Sequence, residues 1–408
     1  MKVAVIALTV CTMVISVEGK FTRHVGEYLA LIVLATIGMM LLVSSQDLLM
    51  VFIALELTSL SLYILVAFNK RNVKSAEAAL KYFLFGGMSA AFTLFGISLI
   101  YGLAGSTNLQ TIGAKLTGPQ ILPDPLLSAA LIMTLIGFGF KIAAVPFHLW
   151  APDAYDGAPT PSAALIASGS KVASFFILAK LTSLAFYHAA GSAAWHDYAS
   201  GWLPVLAVLA VLSMLVGNLA ALAQSNVKRL LAYSAVAHAG YALTGVLANN
   251  DQTLSAVVYY AITYGFTVLG AFGVVGLVED ASGSANLNNF AGLCKRQPLV
   301  SFCMMIFMLS LAGIPPLAGF FGKFYVFAAA VRGTQPLGLL WLIIVAIATS
   351  AISLYYYLQV LKQIYVAAPA ANALEISVPL STKIILVLLA AVVVVLGCAP
   401  DLLLHWLI

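Results

Sequence analysis

The chain has 408 residues, of which 62% are hydrophobic and only 8% charged, with a net charge of +5. Soluble domains carry about a quarter charged residues, so this chain cannot cover itself with a wettable surface. The basic residues are scattered through short connections, which excludes a nucleic-acid footprint. The spacing of Cys11, Cys294, Cys303 and Cys398 gives no ground for a disulfide framework, an iron–sulfur cluster or a structural zinc.

Twelve apolar runs follow one another at 1–18, 27–45, 47–68, 75–103, 126–157, 160–187, 203–224, 228–249, 252–278, 298–332, 337–366 and 380–406. Each is long enough to cross about 30 Å of hydrocarbon. The first follows Lys2 and resembles a signal peptide, but it ends in Val17-Glu18-Gly19-Lys20 rather than a small-x-small cleavage site. It therefore reads as a transmembrane helix. Glu56 follows Asp47 by nine residues, which at helical rise places it about 14 Å into the membrane. Lys81 begins about two turns into the next helix. An acid and a base on neighbouring helices predict an ion pair between Glu56 and Lys81.

The run 126–157 is too long for one simple helix and contains Lys141-Ile-Ala-Ala-Val-Pro146; the run 298–332 contains Gly313-Ile-Pro315-Pro316-Leu-Ala-Gly319 with Lys323 just beyond. Proline removes a backbone donor and clashes with the preceding turn, so each run is expected to be a broken helix. Broken backbone persists at membrane depth only where protein buries it or a wet cavity borders it. Between the breaks, Lys171 is central to its span. Lys180 lies nearer an interface, where snorkelling is expected. Ser234, His238 and Tyr241 recur at helical spacing and share one face. His148 sits in an apolar segment, and Asp153 and Asp156 flank a Pro-containing turn where they are expected to cap helix ends.

The fold class is thus all-α and polytopic, with about 12 transmembrane helices. Segments 27–187 and 203–366 each hold five spans with the broken one fourth, which suggests two repeats of opposite topology, as is common in transporters. Segments 1–26 and 367–408 add one transmembrane helix at each end. Alternate loops carry Lys20, Arg23, Lys70, Arg71, Lys74, Lys228, Arg229, Lys295 and Arg296, against Lys2, Lys115 and Arg332 opposite. The positive-inside rule places the richer set in the cytoplasm and both termini on the far side.

A charge at the bilayer centre costs about 2.5–3.5 kcal/mol or more, so an ionisable residue there is a functional candidate. Glu56, Lys81, Lys141, Lys171, His238 and Lys323 form such a set. A lysine taken out of water is drawn from about 10.4 toward neutrality, where it can gain and lose a proton within a turnover. A carboxylate that approaches and withdraws would load and discharge it. These residues are expected to form an electrostatically coupled row for protons. No nucleotide, haem or metal signature accompanies them.

Phe-Ile-Ala-Leu-Glu56-Leu-Thr-Ser-Leu, Ala-Leu-Lys81-Tyr-Phe, and Gly-Phe-Lys141-Ile-Ala-Ala-Val-Pro-Phe-His-Leu-Trp-Ala-Pro-Asp-Ala-Tyr resemble the antiporter-like membrane subunits of respiratory complex I. So do Ser-Lys171-Val-Ala, Gln-Ser-Asn-Val-Lys-Arg-Leu-Leu-Ala-Tyr-Ser-Ala-Val-Ala-His238-Ala-Gly-Tyr and Gly-Ile-Pro-Pro-Leu-Ala-Gly-Phe-Phe-Gly-Lys323-Phe. The Gly-Ala-Pro-Thr-Pro turn and a lysine in the second broken helix are most similar to the N-type branch. The resemblance implies a proton channel of two half-channels joined by the lysine row, within an NADH:quinone oxidoreductase of a bacterial inner membrane. It implies that NADH, FMN, iron–sulfur clusters and quinone bind partner subunits, and that this chain holds no cofactor and is not catalytic alone. Its neighbours would be the M-type sister subunit, the small membrane subunits and lipid. Family members usually have about 14 spans, so the pattern here starts at the family's third helix, through a shortened chain or a misassigned start. Multisubunit cation/proton antiporters and membrane-bound hydrogenases share these motifs, and a non-conducting scaffold of the membrane arm is a further alternative.

Overall fold

The computed structural model describes residues 1–19, 21–117, 124–332, 338–369 and 376–406. Lys20, one of the charges in the topology count, lies outside them.

The helices follow the apolar runs. They begin with α1 (Lys2–Val17), α2 (Val25–Ser44), α3 (Leu48–Val66), α4 (Val73–Ala104) and the short α5 (Leu109–Lys115). Next come α6 (Pro125–Ile142), α7 (Trp150–Gly157), α8 (Thr160–Leu165), a π-helical stretch over Ile166–Ser170, and α9 (Lys171–Leu184). The remainder is α10 (Trp202–Leu222), α11 (Val227–Leu247), α12 (Thr253–Ser282), α13 (Leu293–Arg296), α14 (Pro298–Ala312), α15 (Ala318–Val331), α16 (Leu340–Tyr365), α17 (Leu380–Cys398) and α18 (Asp401–Leu404). Among the described residues, ten segments are long and apolar enough to cross a membrane. The shorter α1 and the two halves α14 and α15 supply the other expected crossings.

Local chemistry sets the helix ends. The Asp47 side chain accepts from the N–H groups of Leu49 and Met50, and Asn226 does the same for Lys228 and Arg229. Both satisfy donors that a helix start leaves unpaired. Gly105 and Gly283 close α4 and α12 in the left-handed conformation that a side chain disfavours.

Lipid is as apolar as leucine, so helices in a membrane associate through close packing rather than hydrophobic burial. The contact of α4 with α6 shows this. A Cβ on Gly137 would run into the Thr93 side chain, and one on Gly96 would meet Thr134. The α10–α11 contact uses Gly217 against Ala237 and Gly240 against Met214 in the same way. At the centre, α8, α9, α11 and α12 are almost wholly buried, whereas α2, α4, α16 and α17 leave apolar faces outward.

Both predicted breaks are present. Helix α6 stops at Ala143, which has a positive φ of 58°, ahead of a cis Val145–Pro146 bond. Helix α14 stops at Gly313, φ 88°, ahead of a cis Pro315–Pro316 bond. The freed polar groups are satisfied by specific partners. The Ala144 N–H donates to the Gly139 carbonyl at 2.8 Å, Trp150 Nε1 donates to the Phe140 carbonyl at 3.0 Å, and the Val145 N–H donates to Ser213 Oγ on α10 at 2.9 Å. At the second break, the Ile314 N–H donates to the Leu309 carbonyl at 3.0 Å and the Gly319 N–H to Ser310 Oγ at 3.1 Å.

One element departs from the sequence reading. The connection between α9 and α10 carries a two-stranded antiparallel hairpin, β1 (Ser192–Ala194) with β2 (Asp197–Ala199). Trp202 Nε1 donates to the Phe186 carbonyl at 2.7 Å and closes its base.

Candidate functional site

The six candidate residues fall into three clusters rather than one even row. The first lies between α3, α4 and α6. Glu56 and Lys141 border the same crevice, with Ser59, Tyr63, Ser89 and Thr93 around them. Its volume, about 10 Å³, is near the minimum for one water. Lys141 is 6% exposed, and among the described residues its Nζ has no hydrogen-bond partner. Lys141 is the last residue but one of α6, at the carbonyl end of a half-helix, where the helix dipole favours a cation.

The second cluster corrects the expected Glu56–Lys81 pair. Lys81 Nζ instead lies 2.7 Å from Glu77 one turn back and 2.8 Å from Asp153 on α7. Asp153 also receives Arg229 of α11, at 2.7 Å. Lys81 thus faces α7 rather than α3, and Glu56 is left to Lys141. Asp153 was expected to cap a helix end; it is instead the central carboxylate of a network joining α4, α7 and α11. Asp156 does stand at a helix end, but it accepts from the Asn226 side chain at 2.9 Å.

The third cluster occupies the core between α9, α11, α12, α15 and α16. Lys171, 1% exposed, donates to the Ala235 carbonyl at 2.8 Å. It directly follows the π-helical stretch, a distortion frequently found at functional sites. His238 Nδ1 is 2.7 Å from the Tyr260 hydroxyl and its Nε2 is 3.1 Å from that of Tyr357. Tyr357 also bonds to Ser234 Oγ. Two members of the predicted polar face of α11, Ser234 and His238, are therefore joined in a hydrogen-bonded chain, Ser234–Tyr357–His238–Tyr260, whereas the third, Tyr241, accepts instead from the Asn218 amide of α10 at 2.9 Å. Lys323, 5% exposed, donates to the Ala312 carbonyl at 3.0 Å and Ser350 Oγ at 2.8 Å. Its Nζ stands 5.0 Å from the centre of the Tyr241 ring, which supplies a cation–π contact.

Two further residues differ from expectation. Lys180 does not simply snorkel: it donates to the Ser45 carbonyl at the end of α2 at 2.6 Å. Lys228, counted as a loop charge, is 1% exposed and pairs with Glu279 of α12 at 3.1 Å. Asp153, Arg229, Glu279 and Tyr357 escaped the sequence reading as members of polar networks. The signal available for Asp153 and Arg229 was their place inside the Trp-Ala-Pro-Asp and Asn-Val-Lys-Arg motifs. Among the described residues no group of three His, Cys, Asp or Glu side chains is placed to hold a metal.

A family model described as NADH:quinone oxidoreductase/Mrp antiporter, transmembrane, matches residues 45–353, a stretch that contains all six candidates. The chain belongs to this family. A protein of Acidobacterium capsulatum named NADH-quinone oxidoreductase subunit N 2 is 56% identical over 389 residues, 95% of this chain and 78% of that protein. One of Roseiflexus castenholzii named subunit N 1 is 40% identical, covering 96% of this chain and 75% of its own length. A chain of respiratory complex I from Thermus thermophilus with bound aureothin superposes with a TM-score of 0.82 at 36% identity, over 99% of this chain and 85% of that one. A chain of the Mrp complex from Dietzia sp., at 22% identity and a TM-score of 0.85, shares the fold.

Proposed function

We propose that this chain is the N-type, proton-translocating subunit of the membrane arm of a bacterial NADH–quinone oxidoreductase. NADH oxidation and quinone reduction, with FMN and the iron–sulfur clusters, belong to partner subunits; this chain carries protons and is not itself the oxidoreductase. Its neighbours are the M-type sister subunit and the small membrane subunits, and its termini face the periplasm of the inner membrane.

The observation that carries this reading is the state of Lys141, Lys171 and Lys323. All three are at most 6% exposed, and among the described residues none has a carboxylate within salt-bridge distance. A cation without an anion in a buried site costs stability that a purely structural residue would not. A residue whose task is to take up and release a proton has reason to remain there. Glu56 across the crevice from Lys141 is the charge that loads the first lysine. The Ser234–Tyr357–His238–Tyr260 chain offers the hydrogen-bonded route from the Lys171 region toward Lys323.

The two-repeat organisation, 27–187 and 203–366, belongs to this proposal. It is supported by a shared turn: Asp47 pairs with Asn108 across α3 and α4, and Asn226 with Asn286 across α11 and α12. Each repeat then ends its broken half-helix in a residue of positive φ.

The test is NADH-driven proton uptake by membrane vesicles carrying Lys141→Ala, with assembly of the complex verified on native gels. Loss of pumping in an assembled complex is expected. Full pumping would reduce the chain to a scaffold.

A further inference from the structure

One groove lies apart from the three clusters above. Helices α2 and α3 pack closely where Gly38 meets Thr58. Toward the ends that carry Glu27 and Lys70, an outward groove of about 400 Å³ lies beside them, walled by Ala30 and Leu31 of α2 and by Ile64 and Phe68 at the end of α3. Ile64 is 52% exposed. Glu27 stands in the first turn of α2, and Lys70 comes just after α3 has ended at Val66. The groove is thus apolar along its walls and charged at its rim, where helix ends reach the level of lipid headgroups.

Both rim charges are open to a ligand. The Glu27 side chain is 72% exposed, and its ion-pair partner among the described residues is the His24 imidazole at 3.4 Å, which is charged only when protonated. Among the described residues Lys70 enters no ion pair, so the two charges do not close the groove by pairing with each other. An acid and a base at the rim of one groove call for a ligand that carries both signs. A phosphodiester accepts charge-assisted hydrogen bonds from a lysine, and a primary ammonium donates them to a carboxylate. A headgroup of net negative charge would suit Lys70 but be repelled by Glu27. The groove has about the volume of a single turn of α-helix, roughly 10 Å across with a pitch of about 5.4 Å. That is too little to seat a transmembrane helix, but it admits a flexible hydrocarbon chain.

We infer that the groove between α2 and α3 is a site for one aminophospholipid of the phosphatidylethanolamine type, with its phosphate on Lys70 and its ammonium on Glu27. An acyl chain lies along Leu31, Ile64 and Phe68. Arg71 and Lys74, in and just after the same connection, add positive charge that draws phosphate to this rim. The inference does not use the proton-carrying reading, because neither Glu27 nor Lys70 belongs to the three clusters. It concerns how the outer face of the chain is held in its bilayer.

The experiment uses the assembled complex in nanodiscs that contain phosphatidylethanolamine and phosphatidylglycerol in equal amounts. In one sample the first lipid carries a photoactivatable diazirine on its acyl chain, and in the other the second does. Cross-links to the peptides that hold Leu31 and Ile64 are counted by mass spectrometry. The ethanolamine probe should label these peptides more than the glycerol probe. Lys70→Ala should lower that labelling about fivefold, the scale of one basic contact at a membrane surface. Glu27→Lys should pass the preference to the glycerol probe, because the rim is then wholly positive. The charge-swapped Glu27→Lys/Lys70→Glu should keep the ethanolamine preference, since both signs remain. Equal labelling by the two probes, unmoved by any variant, overturns the site and leaves only the ordinary lipid annulus. A partner helix seated in the groove, seen by cryo-electron microscopy of the same complex, overturns it as well. A glycerol preference in the parent would overturn the assignment of Glu27 as the ammonium partner.

Discussion

The ion pair between Lys228 and Glu279 makes the sharpest energetic prediction. Lys228 is 1% exposed, and its ammonium has two partners: the Ala158 carbonyl at 3.0 Å and the Glu279 carboxylate at 3.1–3.2 Å. Thr160 donates to the same carboxylate, so the starts of α8 and α11 and the end of α12 are tied together. Removing one partner of a buried pair costs about 3–5 kcal/mol, because the other charge is stranded. The Glu279 side chain is 29% exposed and borders a polar cavity of about 420 Å³, so water can partly replace it. Glu279→Ala should therefore cost about 3 kcal/mol, at the lower end of that range. Lys228→Met should cost less, since the carboxylate it strands can reach water. The double variant Lys228→Met/Glu279→Ala should recover most of the loss by removing the stranded ammonium. The assay is thermal unfolding of the assembled complex, with the abundance of the chain in the membrane measured in parallel. A shift of a few degrees is expected for Glu279→Ala. A double variant no more stable than Glu279→Ala would refute the argument, because the stranded lysine would then not be the source of the loss.

Ser213→Ala would strand the Val145 N–H at the first break and should destabilise the chain by about 1–3 kcal/mol; faster hydrogen exchange in the peptide spanning Val145 reads this out. Gly137→Val has no room against Thr93 and should cost about 1–3 kcal/mol through overpacking. The same change should lower proton pumping, because Lys141 lies one turn further along α6. Asp153→Asn should break the ion pairs to both Arg229 and Lys81, leaving Lys81 to Glu77 alone, whereas Arg229→Gln leaves the Lys81–Asp153 pair in place. Pumping by the assembled complex should fall further in the first variant than in the second, and equal effects would argue against Asp153 as the centre of the network.

Much of the architecture was legible because the bilayer dictates it. Each apolar run had to be long enough to cross, so most span limits predicted from sequence lie within a few residues of the helices observed; the last run, 380–406, overshoots, since α17 ends at Cys398 and the short α18 follows. Proline marked both breaks, and the Lys141 and Lys323 positions beside them followed directly. Pairings between distant residues were not legible. Lys228 follows the capping Asn226 by two residues and looks like a loop charge, yet its partner Glu279 is 51 residues away. Asp153 looks like a helix-end residue beside proline, yet it meets Lys81 across 72 residues. A neighbouring acid and base suggested the pair Glu56–Lys81, but helix rotation decides which face meets which neighbour, and the apolar residues spread all round α3 give no periodic signal to fix it. The π-helical stretch before Lys171 and the hairpin at Ser192–Ala199 are set by tertiary contacts, and nothing in Ile-Ala-Ser-Gly-Ser or Ser-Ala-Ala-Trp-His-Asp-Tyr-Ala announces them.

The partner of Lys323 suggests why a break and a buried lysine occur together. Lys323 binds the carbonyl of Ala312, the last residue of α14, an acceptor that an unbroken helix would have used internally. Lys141 stands near the corresponding end of α6, where the helix dipole favours a cation, although its Nζ has no hydrogen-bond partner among the described residues. A carboxylate would hold each lysine more tightly, but deprotonation would then strand an unpaired buried anion. A carbonyl carries only partial charge and tolerates either protonation state of the amine. Breaking the helix thus supplies, at membrane depth, an acceptor suited to the proton-exchanging role proposed above for Lys323. Placing a permanent carboxylate beside Lys323, as in Ser350→Asp, should accordingly fix the ammonium and stop proton pumping while the complex still assembles. Pumping that persists in that variant would mean that the softness of the carbonyl site is not what the lysine requires.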